Sequence, residues 1–259
     1  ADATRAGRFA DLFAPVIVPV AARLAELAEA APGRRALDLC CGSGPVARAL
    51  VDRGAETVAV DFSPAMLALA ADAVPEAERV EADAAALPFA DGAFDAAACG
   101  FGLNHLPDAE AALAELARTL RPGGRFAMSV WNRPSEAHAF GAVMEAVRAY
   151  ADLSAAPAAP DFFALSGREA AEAAFARAGL RLAHHEVLAP AWRLDRPEAL
   201  HDIFEEGTVA LAMILAAQPV DTRARIRARI AETVAARFPV EDGRHVVPVE
   251  TAIAVAERG

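Results

Sequence analysis

Apolar residues recur along the first half of the chain in two alternating patterns. Short apolar runs predict five strands, at residues 35–39, 57–61, 79–83, 94–100 and 125–131. Between these runs, apolar residues recur three or four positions apart, which is the spacing of one helix face. Strands that alternate with helices of this length are typical of a parallel, doubly wound α/β sheet with right-handed crossovers.

Several predicted helices begin or end at residues that favour capping. Asp108 opens the helical pattern of residues 108–120, and Ser63 precedes Pro64, which suits the first helical position. Gly54 is placed to end the helix that starts near Gly44. Two further signals are Ser166 as the cap of a helix over 166–180 and a tight turn at RPGG, residues 121–124.

The alternation stops after Trp131. The later pattern predicts helices at 136–150 and 166–180, a Pro/Ala-rich linker at 151–160, and strands at 180–189 and 246–256. Residues 197–238 read as two or three helices with no strand between them, which is too long for a simple connection. We therefore expect a single domain over 1–259, with an N-terminal helical segment at 1–33 and a helical cap, or lid, at 197–238.

The bulk composition argues against a membrane or secreted protein. Hydrophobic residues make up 55% of the chain, but many are Ala, which favours helix and buries little side chain. The longest apolar stretches, near 12–22 and 208–217, are shorter than the roughly 20 residues that span a bilayer. We expect neither a membrane-spanning segment nor a secretory signal.

Charge and cysteine content narrow the choice of partner. The net charge of −11 opposes binding to a phosphate backbone, and the basic run at 221–230 fits a solvent-facing helix. Cys40, Cys41 and Cys99 are an odd number of thiols, two of them adjacent, and make a poor disulfide framework. We expect a cytoplasmic, metal-free protein that acts on a small molecule rather than nucleic acid, and we allow for a homodimer.

The segment LDLCCGSGPVARAL, residues 37–50, carries the first chemical signal. It places a glycine-rich turn at the end of a strand, where ligands bind in open α/β sheets. Gly42 and Gly44 lack the Cβ that would keep a ligand from the backbone. Residues 42–47 also fit the G-x-G-x-x-A form of a dinucleotide site, with Asp61 in the ribose position. An NAD(P)-dependent oxidoreductase is therefore the competing interpretation.

Two carboxylates favour a cationic cofactor over a dinucleotide. Asp38 lies just before the turn, where we expect it in the loop mouth. There it would repel a pyrophosphate but not a sulfonium that carries an ammonium group. Asp83 ends the third predicted strand, where a carboxylate can accept a hydrogen bond from an adenine amino group.

Together these segments resemble the class I S-adenosylmethionine (SAM) dependent methyltransferases. LDLCCGSG, VAVDFSPAML, EADAAALPFADGAFD and LRPGGRF occur in that family's order and spacing, within residues 35–131. FGLNHLPD, residues 101–108, resembles the segment after strand four in the ubiquinone/menaquinone-biosynthesis group. The resemblance implies a seven-stranded, mostly parallel sheet with an antiparallel last strand. It also implies transfer of a methyl group from SAM to an O, N or C atom of a small, partly apolar molecule.

The resemblance assigns cofactor-binding roles residue by residue. Residues 38–44 would hold the methionine part of SAM, and this loop includes Asp38, Cys40, Gly42, Ser43 and Gly44. Asp61 would bind both ribose hydroxyls, in SAM and in the product S-adenosylhomocysteine. The other assignments are Phe62 and Met66 beside the adenine, Asp83 and Ala84 at the adenine edge, and Gly100 and Phe101 beside the methyl group.

The sequence departs from the family pattern at two places. Cys40 stands where the family often has Gly or Ala, which makes the loop bulkier. Asn104 and His105 stand where the quinone group typically has Arg and Asn, which argues against a quinone acceptor. His105 follows strand four closely, and imidazole titrates near neutrality, so we predict it to be the general base or an acceptor-positioning group.

Other residues and functions remain open at the level of sequence. Candidate pocket residues are His138, His201, Trp131, Phe162, Phe163 and Trp192. A fold does not fix its chemistry, so an enzyme that keeps SAM without transferring its methyl group, such as a cyclase, is an alternative. A SAM-binding protein without activity is another.

Overall fold

The structure is a computed structural model that describes residues 3–154 and 161–259. The strands are β1 (Arg35–Leu39), β2 (Glu56–Asp61), β3 (Glu78–Glu81), β4 (Phe94–Gly100), β5 (Leu120–Trp131), β6 (Leu180–Leu188), β7 (Ala191–Leu194), β8 (Val240–Glu241), β9 (Arg244–Pro248) and β10 (Thr251–Arg258). The helices are α1 (Ala3–Leu27), α2 (Pro45–Asp52), α3 (Pro64–Ala73), α4 (Ala109–Thr119), α5 (Ala139–Tyr150), α6 (Arg168–Arg177), α7 (Ala199–Gly207), α8 (Val209–Ala216) and α9 (Val220–Arg237).

Seven of these strands form the central sheet, in the order β3-β2-β1-β4-β5-β10-β6. The pairs among β1 to β5 are parallel, whereas β10 runs antiparallel to both β5 and β6. This arrangement confirms the predicted seven-stranded, mostly parallel sheet with an antiparallel last strand. Its central strands are buried on both faces, so β1 and β4 read as apolar runs rather than as alternating patterns.

The predicted N-cap residues are confirmed at α4 and α3 and wrong at α6. The carboxylate of Asp108 accepts a hydrogen bond from the Ala111 amide at 2.9 Å and starts α4. Ser63 stands at the N-cap of α3, but its backbone carbonyl, rather than its hydroxyl, accepts from the Met66 amide. Helix α6 begins one residue later than predicted, with Gly167 as its N-cap and no capping bond from Ser166.

The prediction of one strand over residues 246–256 is wrong. The chain forms β9 and β10 there, and β9 joins β7 and β8 in a second, three-stranded sheet. Pro248 ends β9 because proline has no N–H to continue the ladder. The Val249 amide then bonds to the Pro190 carbonyl at 2.8 Å, and the Glu250 carbonyl accepts from the Asn132 amide at 2.9 Å.

Helices α7, α8 and α9 fill the segment 197–238, as predicted. They lie between β7 and β8 in the chain, and α7 packs against α1 while α9 packs against α5. Part of the predicted linker, residues 155–160, lies outside the described residues. In the part of the chain that the structure describes, no helix is long and apolar enough to cross a bilayer.

Candidate active site

The loop between β1 and α2 adopts a left-handed backbone at three positions. Cys40, Gly42 and Gly44 have φ values of 58°, 54° and 93°. A Cβ on Gly42 would have no atom within 4 Å, so the loop presents open space at this position. A Cβ on Gly44 would instead lie 3.0 Å from Cγ2 of Val74, so this glycine allows α3 to pack closely.

The backbone of Cys40 is strained, because a left-handed φ is unfavourable for a residue with a Cβ. Its side chain packs between the ends of β1 and β4. A Cβ on Gly102 would lie 2.5 Å from the Cys40 Cβ and 2.9 Å from the Cys99 sulfur. The hydrogen bond with Cys99, together with burial, raises the pKa of the Cys40 thiol. The bulk that the sequence predicts at this position is thus accommodated by Gly102.

Asp38 lies beneath the loop and not in its mouth, which corrects the expectation from sequence. The residue is fully buried, because both faces of β1 are covered. Its Oδ2 accepts a hydrogen bond from the Ala47 amide at 2.7 Å, in the first turn of α2. Burial raises the pKa of this carboxyl group. Asp38 therefore holds α2 against the end of β1 and supports the loop from below.

The start of α2 is poorly suited to a pyrophosphate. Pro45 occupies the first helical position and has no N–H to donate. The amide of Ala47 is already bonded to Asp38, a buried acid, directly below. The backbone N–H groups of this first helical turn are the donors that a dinucleotide site offers to phosphate. The geometry therefore argues against a dinucleotide, through a different contact from the one that the sequence suggested.

Asp61 joins the end of β2 to the glycine loop. Its Oδ2 accepts from the Gly42 amide at 2.9 Å, and its Oδ1 accepts from the Ser63 amide at 3.0 Å. The residue is 7% exposed, so its carboxylate is held in one orientation. Each carboxylate oxygen has a second lone pair, so both can still accept a bond from a hydroxyl group. Ser43 is half-buried in the same loop.

The predicted adenine residues lie at the same edge of the sheet. Phe62 follows Asp61 directly and is 74% exposed, although a large aromatic side chain usually buries its surface. Asp61 pairs with Glu81, which stands two residues before Asp83. Asp83 is exposed and accepts from the Ala85 amide through one oxygen, which leaves the other for a ligand. Met66 is half-buried and Ala84 is buried.

The residues predicted beside the methyl group have different structural roles. A Cβ on Gly100 would lie 2.8 Å from Cγ2 of Val46, so its small size serves the packing of α2 on β4. Phe101 has a left-handed φ of 59°, a conformation that is rare for a bulky residue and common at functional sites. Its ring stacks on Trp131 with 3.9 Å between the ring centroids.

Asn104 and His105 form a short 3-10 helix, Leu103–His105, directly after β4. The Asn104 side chain donates to the Phe162 carbonyl at 2.6 Å and ties this helix to the segment before α6. His105 is exposed, and its ring centroid lies 5.1 Å from that of Phe162. Desolvation by these neighbours lowers the pKa of the imidazole. The cap of the next helix is Asp108, so His105 is free of that structural role.

Three of the candidate pocket residues belong to an aromatic cluster at the carboxyl ends of β4 and β5. They are Trp131, Phe163 and Trp192, and sequence reasoning missed the other members except Phe101. We define the aromatic cluster as Phe13, Phe101, Trp131, Phe140, Phe163, Trp192 and Phe204, whose neighbouring centroids lie between 3.9 and 6.1 Å apart. The seven members come from seven different segments of the chain, so no local spacing in the sequence identifies them as a group.

His201 belongs to a different group. With Asp202 and Glu205 it could offer metal ligands, since one atom from each lies within 4.8 Å of the others. However, the Arg227 guanidinium donates to His201 Nδ1 at 3.2 Å and also bonds to the Asp202 carboxylate. A cation is therefore already present, and we assign no metal to this group.

The sheet order, the antiparallel β10 and a carboxylate that anchors a glycine loop define the class I SAM-dependent methyltransferase fold. A family model described as "Methyltransferase domain" matches residues 37–128. Protein Mb1440c of Mycobacterium bovis is 33% identical over 206 residues, which are 78% of this chain and 73% of that protein. The chain belongs to the class I SAM-dependent methyltransferase family.

Two further likenesses agree with this assignment. The demethylmenaquinone methyltransferase of Thermus thermophilus is 45% identical over 127 residues, which are 47% of this chain and 57% of that enzyme. The chain spans about half the length of the curated relatives of this kind that it matches. The solved structure of BH2331 from Bacillus halodurans C-125 shares the fold, with a TM-score of 0.61, 20% identity, and coverage of 92% of this chain and 98% of that one.

Proposed function

We propose that this chain transfers a methyl group from SAM to an O, N or C atom of a small, partly apolar molecule. The observation that carries the proposal is the contact between Asp61 and Gly42, beside an exposed Phe62. A carboxylate for ribose hydroxyls, an open glycine backbone and a free aromatic face fit the three parts of this cofactor. SAM supplies a methyl group that is already activated by the sulfonium.

In this proposal the chain acts mainly by alignment. Gly42 and Ser43 hold the methionine part, while Asp61, Phe62, Met66, Asp83 and Ala84 hold the nucleoside. The aromatic cluster gives the acceptor an apolar surface and excludes water, and orientation of this kind contributes on the order of 7–11 kcal/mol to such reactions. His105, whose pKa is lowered by desolvation, is the proposed base for an acceptor proton.

The methyl acceptor of this chain differs, in our proposal, from the acceptor that the names of its relatives indicate. The names of the matched demethylmenaquinone methyltransferases describe a quinone-type acceptor for those proteins. Asn104 and His105 depart from the pattern of that group, and Asn104 is committed here to the Phe162 carbonyl. We therefore propose a different small molecule. The free thiols of Cys40, Cys41 and Cys99 support a cytoplasmic enzyme, and a homodimer stays a prediction.

Calorimetry and mass spectrometry together test this function. The protein is titrated with S-adenosylhomocysteine and, separately, with NADH, and we expect binding of the first only. A panel of hydroxyl, amine and carbon-acid compounds is then incubated with SAM, and the expected product is heavier by one methylene unit. Binding of NADH without S-adenosylhomocysteine would support the oxidoreductase instead. A product of unchanged mass would identify a non-methylating enzyme.

A further inference from the structure

His138 is a buried imidazole that the proposed function does not use. It follows β5 by seven residues and precedes α5, at the edge of the sheet where the aromatic cluster lies. The residue is fully buried, yet its Nδ1 has no hydrogen-bond partner among the described residues. A buried polar atom without a partner is costly in a folded protein, so it calls for an explanation.

The contacts of the other ring nitrogen assign the tautomer. His138 Nε2 lies 3.0 Å from the carbonyl oxygen of Arg133, which can only accept a hydrogen bond. The Ser135 amide also lies 3.3 Å from Nε2 and would need a bare lone pair there. The carbonyl contact is the shorter of the two, and from it we infer that the proton is on Nε2. A neutral ring protonated at Nε2 has a bare lone pair at Nδ1. The buried, unpartnered atom is therefore a hydrogen-bond acceptor.

The backbone around His138 holds the ring in place. The chain turns tightly between Ser135 and Gly141, and the Gly141 amide bonds to the His138 carbonyl at 3.0 Å. A Cβ on Gly141 would lie 1.7 Å from the Ser135 carbonyl oxygen, so only glycine fits this turn. The imidazole is thus fixed by the turn and by its Nε2 contact before any ligand arrives, which is the property of a built binding group.

His138 adjoins the side of the aromatic cluster that reaches solvent. Its ring meets the Phe140 ring edge to face, with 6.2 Å between centroids, and Phe140 lies 5.4 Å from Trp131. Phe140 and Phe163 are only half-buried, whereas Trp131 and Phe101 are buried. A molecule could contact Trp131 and the imidazole together only if these two half-buried rings moved aside.

We propose that His138 Nδ1 binds the methyl acceptor, by accepting a hydrogen bond from a hydroxyl group on an uncharged, apolar molecule. This inference rests on the proposed methyl-transfer function, because it names the substrate class of that site. The surrounding rings carry no charge and would disfavour an ionised acceptor. The bare lone pair requires a donor, so a compound of the same shape without a hydroxyl group binds less well.

The first test compares phenol with toluene, which have similar shapes and differ by a hydroxyl group. The protein is labelled with nitrogen-15 histidine, and the His138 signals are assigned by their loss in His138→Gln. We expect the neutral tautomer with the proton on Nε2, and a shift of the Nδ1 signal on addition of phenol but not toluene. Equal responses to both compounds, or a proton on Nδ1, would overturn the proposal.

Two substitutions separate binding from a purely structural role. In His138→Gln the side-chain amide can still donate to the Arg133 carbonyl, but no acceptor remains at the Nδ1 position. In His138→Asn an oxygen returns near that position. We expect about a 3–10-fold loss of phenol affinity in His138→Gln with toluene unchanged, and recovery in His138→Asn. A His138→Gln variant that keeps the preference for phenol would overturn the proposal.

His185→Gln is the matched control, because the Nε2 of His185 also lies 3.0 Å from a backbone carbonyl, that of Ser166, on strand β6. It should leave the preference for phenol unchanged. Titration with S-adenosylhomocysteine is run on the same samples. If wild-type protein does not bind S-adenosylhomocysteine while the phenol effect is intact, the proposed function is overturned. If it binds S-adenosylhomocysteine but shows no preference for phenol, only the role of His138 is overturned.

Discussion

The Oδ2 atom of Asp61 accepts a hydrogen bond from the Gly42 amide at 2.9 Å. This contact joins the last residue of β2 to the glycine loop that follows β1, nineteen positions earlier in the chain. It fixes the distance between the part of the site that would hold ribose and the part that would hold methionine. Since a buried carboxylate makes this link, its removal affects both parts at once.

Asp61→Ala tests this link directly. The variant loses hydrogen bonds to a charged group, each worth about 1.5–3 kcal/mol in favourable cases, so S-adenosylhomocysteine affinity should fall by at least tenfold. Isothermal titration calorimetry measures the change at a temperature where the variant is folded. Asp52→Ala is the control, because Asp52 is exposed and pairs with Arg48. Unchanged affinity in Asp61→Ala would contradict the ribose assignment.

Phe62→Ala separates ligand stacking from core packing. The side chain is 74% exposed, so its loss should leave the melting temperature within a few degrees of wild type. Stacking of aromatic groups contributes about 0.5–1.5 kcal/mol, which predicts roughly a 3–10-fold loss of S-adenosylhomocysteine affinity. Val187→Ala, at a 51% exposed position on β6, should change neither quantity. A large loss of stability with normal affinity would show that Phe62 is a packing residue.

Asp38→Asn should change how stability depends on pH. Burial raises the pKa of Asp38 in the folded protein, so the folded state binds a proton that the unfolded state has already released. Stability from this group is present below the unfolded Asp pKa of about 3.9 and is lost as the pH rises through the folded pKa. The amide does not titrate. In urea denaturation, we expect the free energy of unfolding of wild type to fall relative to that of the variant as the pH rises above 4.

The informative quantity is the difference in stability between wild type and Asp38→Asn, because the many paired carboxylates contribute their own pH dependence to both proteins. A constant difference between wild type and Asp38→Asn from pH 4 to pH 8 would show that Asp38 does not carry a raised pKa. The Oδ1 atom of Asp38 has no partner among the described residues, so the variant also replaces one unpaired buried atom with another. That cost is independent of pH and shifts the whole curve.

His105→Gln tests the proposed base. General-base catalysis typically contributes 10²–10⁴-fold, so kcat should fall by about that factor while S-adenosylhomocysteine affinity stays the same. Desolvation lowers the His105 pKa, so the wild-type rate should hold near neutral pH and fall only below that lowered pKa. The variant should lack this acidic limb. His184→Gln, which alters a half-buried histidine beside Glu186, is the control.

Hydrogen exchange tests whether the helical cap opens. Phe204 of α7 packs on Phe140 and Phe13, so α7 contributes a ring to the aromatic cluster. We expect α7 and α8 to exchange faster than β1 and β4, and to gain protection when S-adenosylhomocysteine and phenol are added. Protection equal to that of the core strands in every state would identify a fixed subdomain.

The alternation of strands and helices over residues 35–131 was readable from sequence, because each element buries its own periodic face. The strand-end position of Asp61 and the capping role of Asp108 were also readable, because both depend on near neighbours in the chain. The family motifs lie in this half. Gly42 could be predicted too, because a glycine in the turn after a strand leaves room for a ligand to approach the backbone.

Tertiary structure alone decided the rest. The split of residues 246–256 between two sheets depends on partners β5 and β7, which periodicity does not record. Asp38 became a buried support because β1 is covered on both faces, which made a carboxylate beside the loop face inward. His138 and the aromatic cluster meet only after distant segments pack, so their chemistry depends on contacts that no local pattern contains.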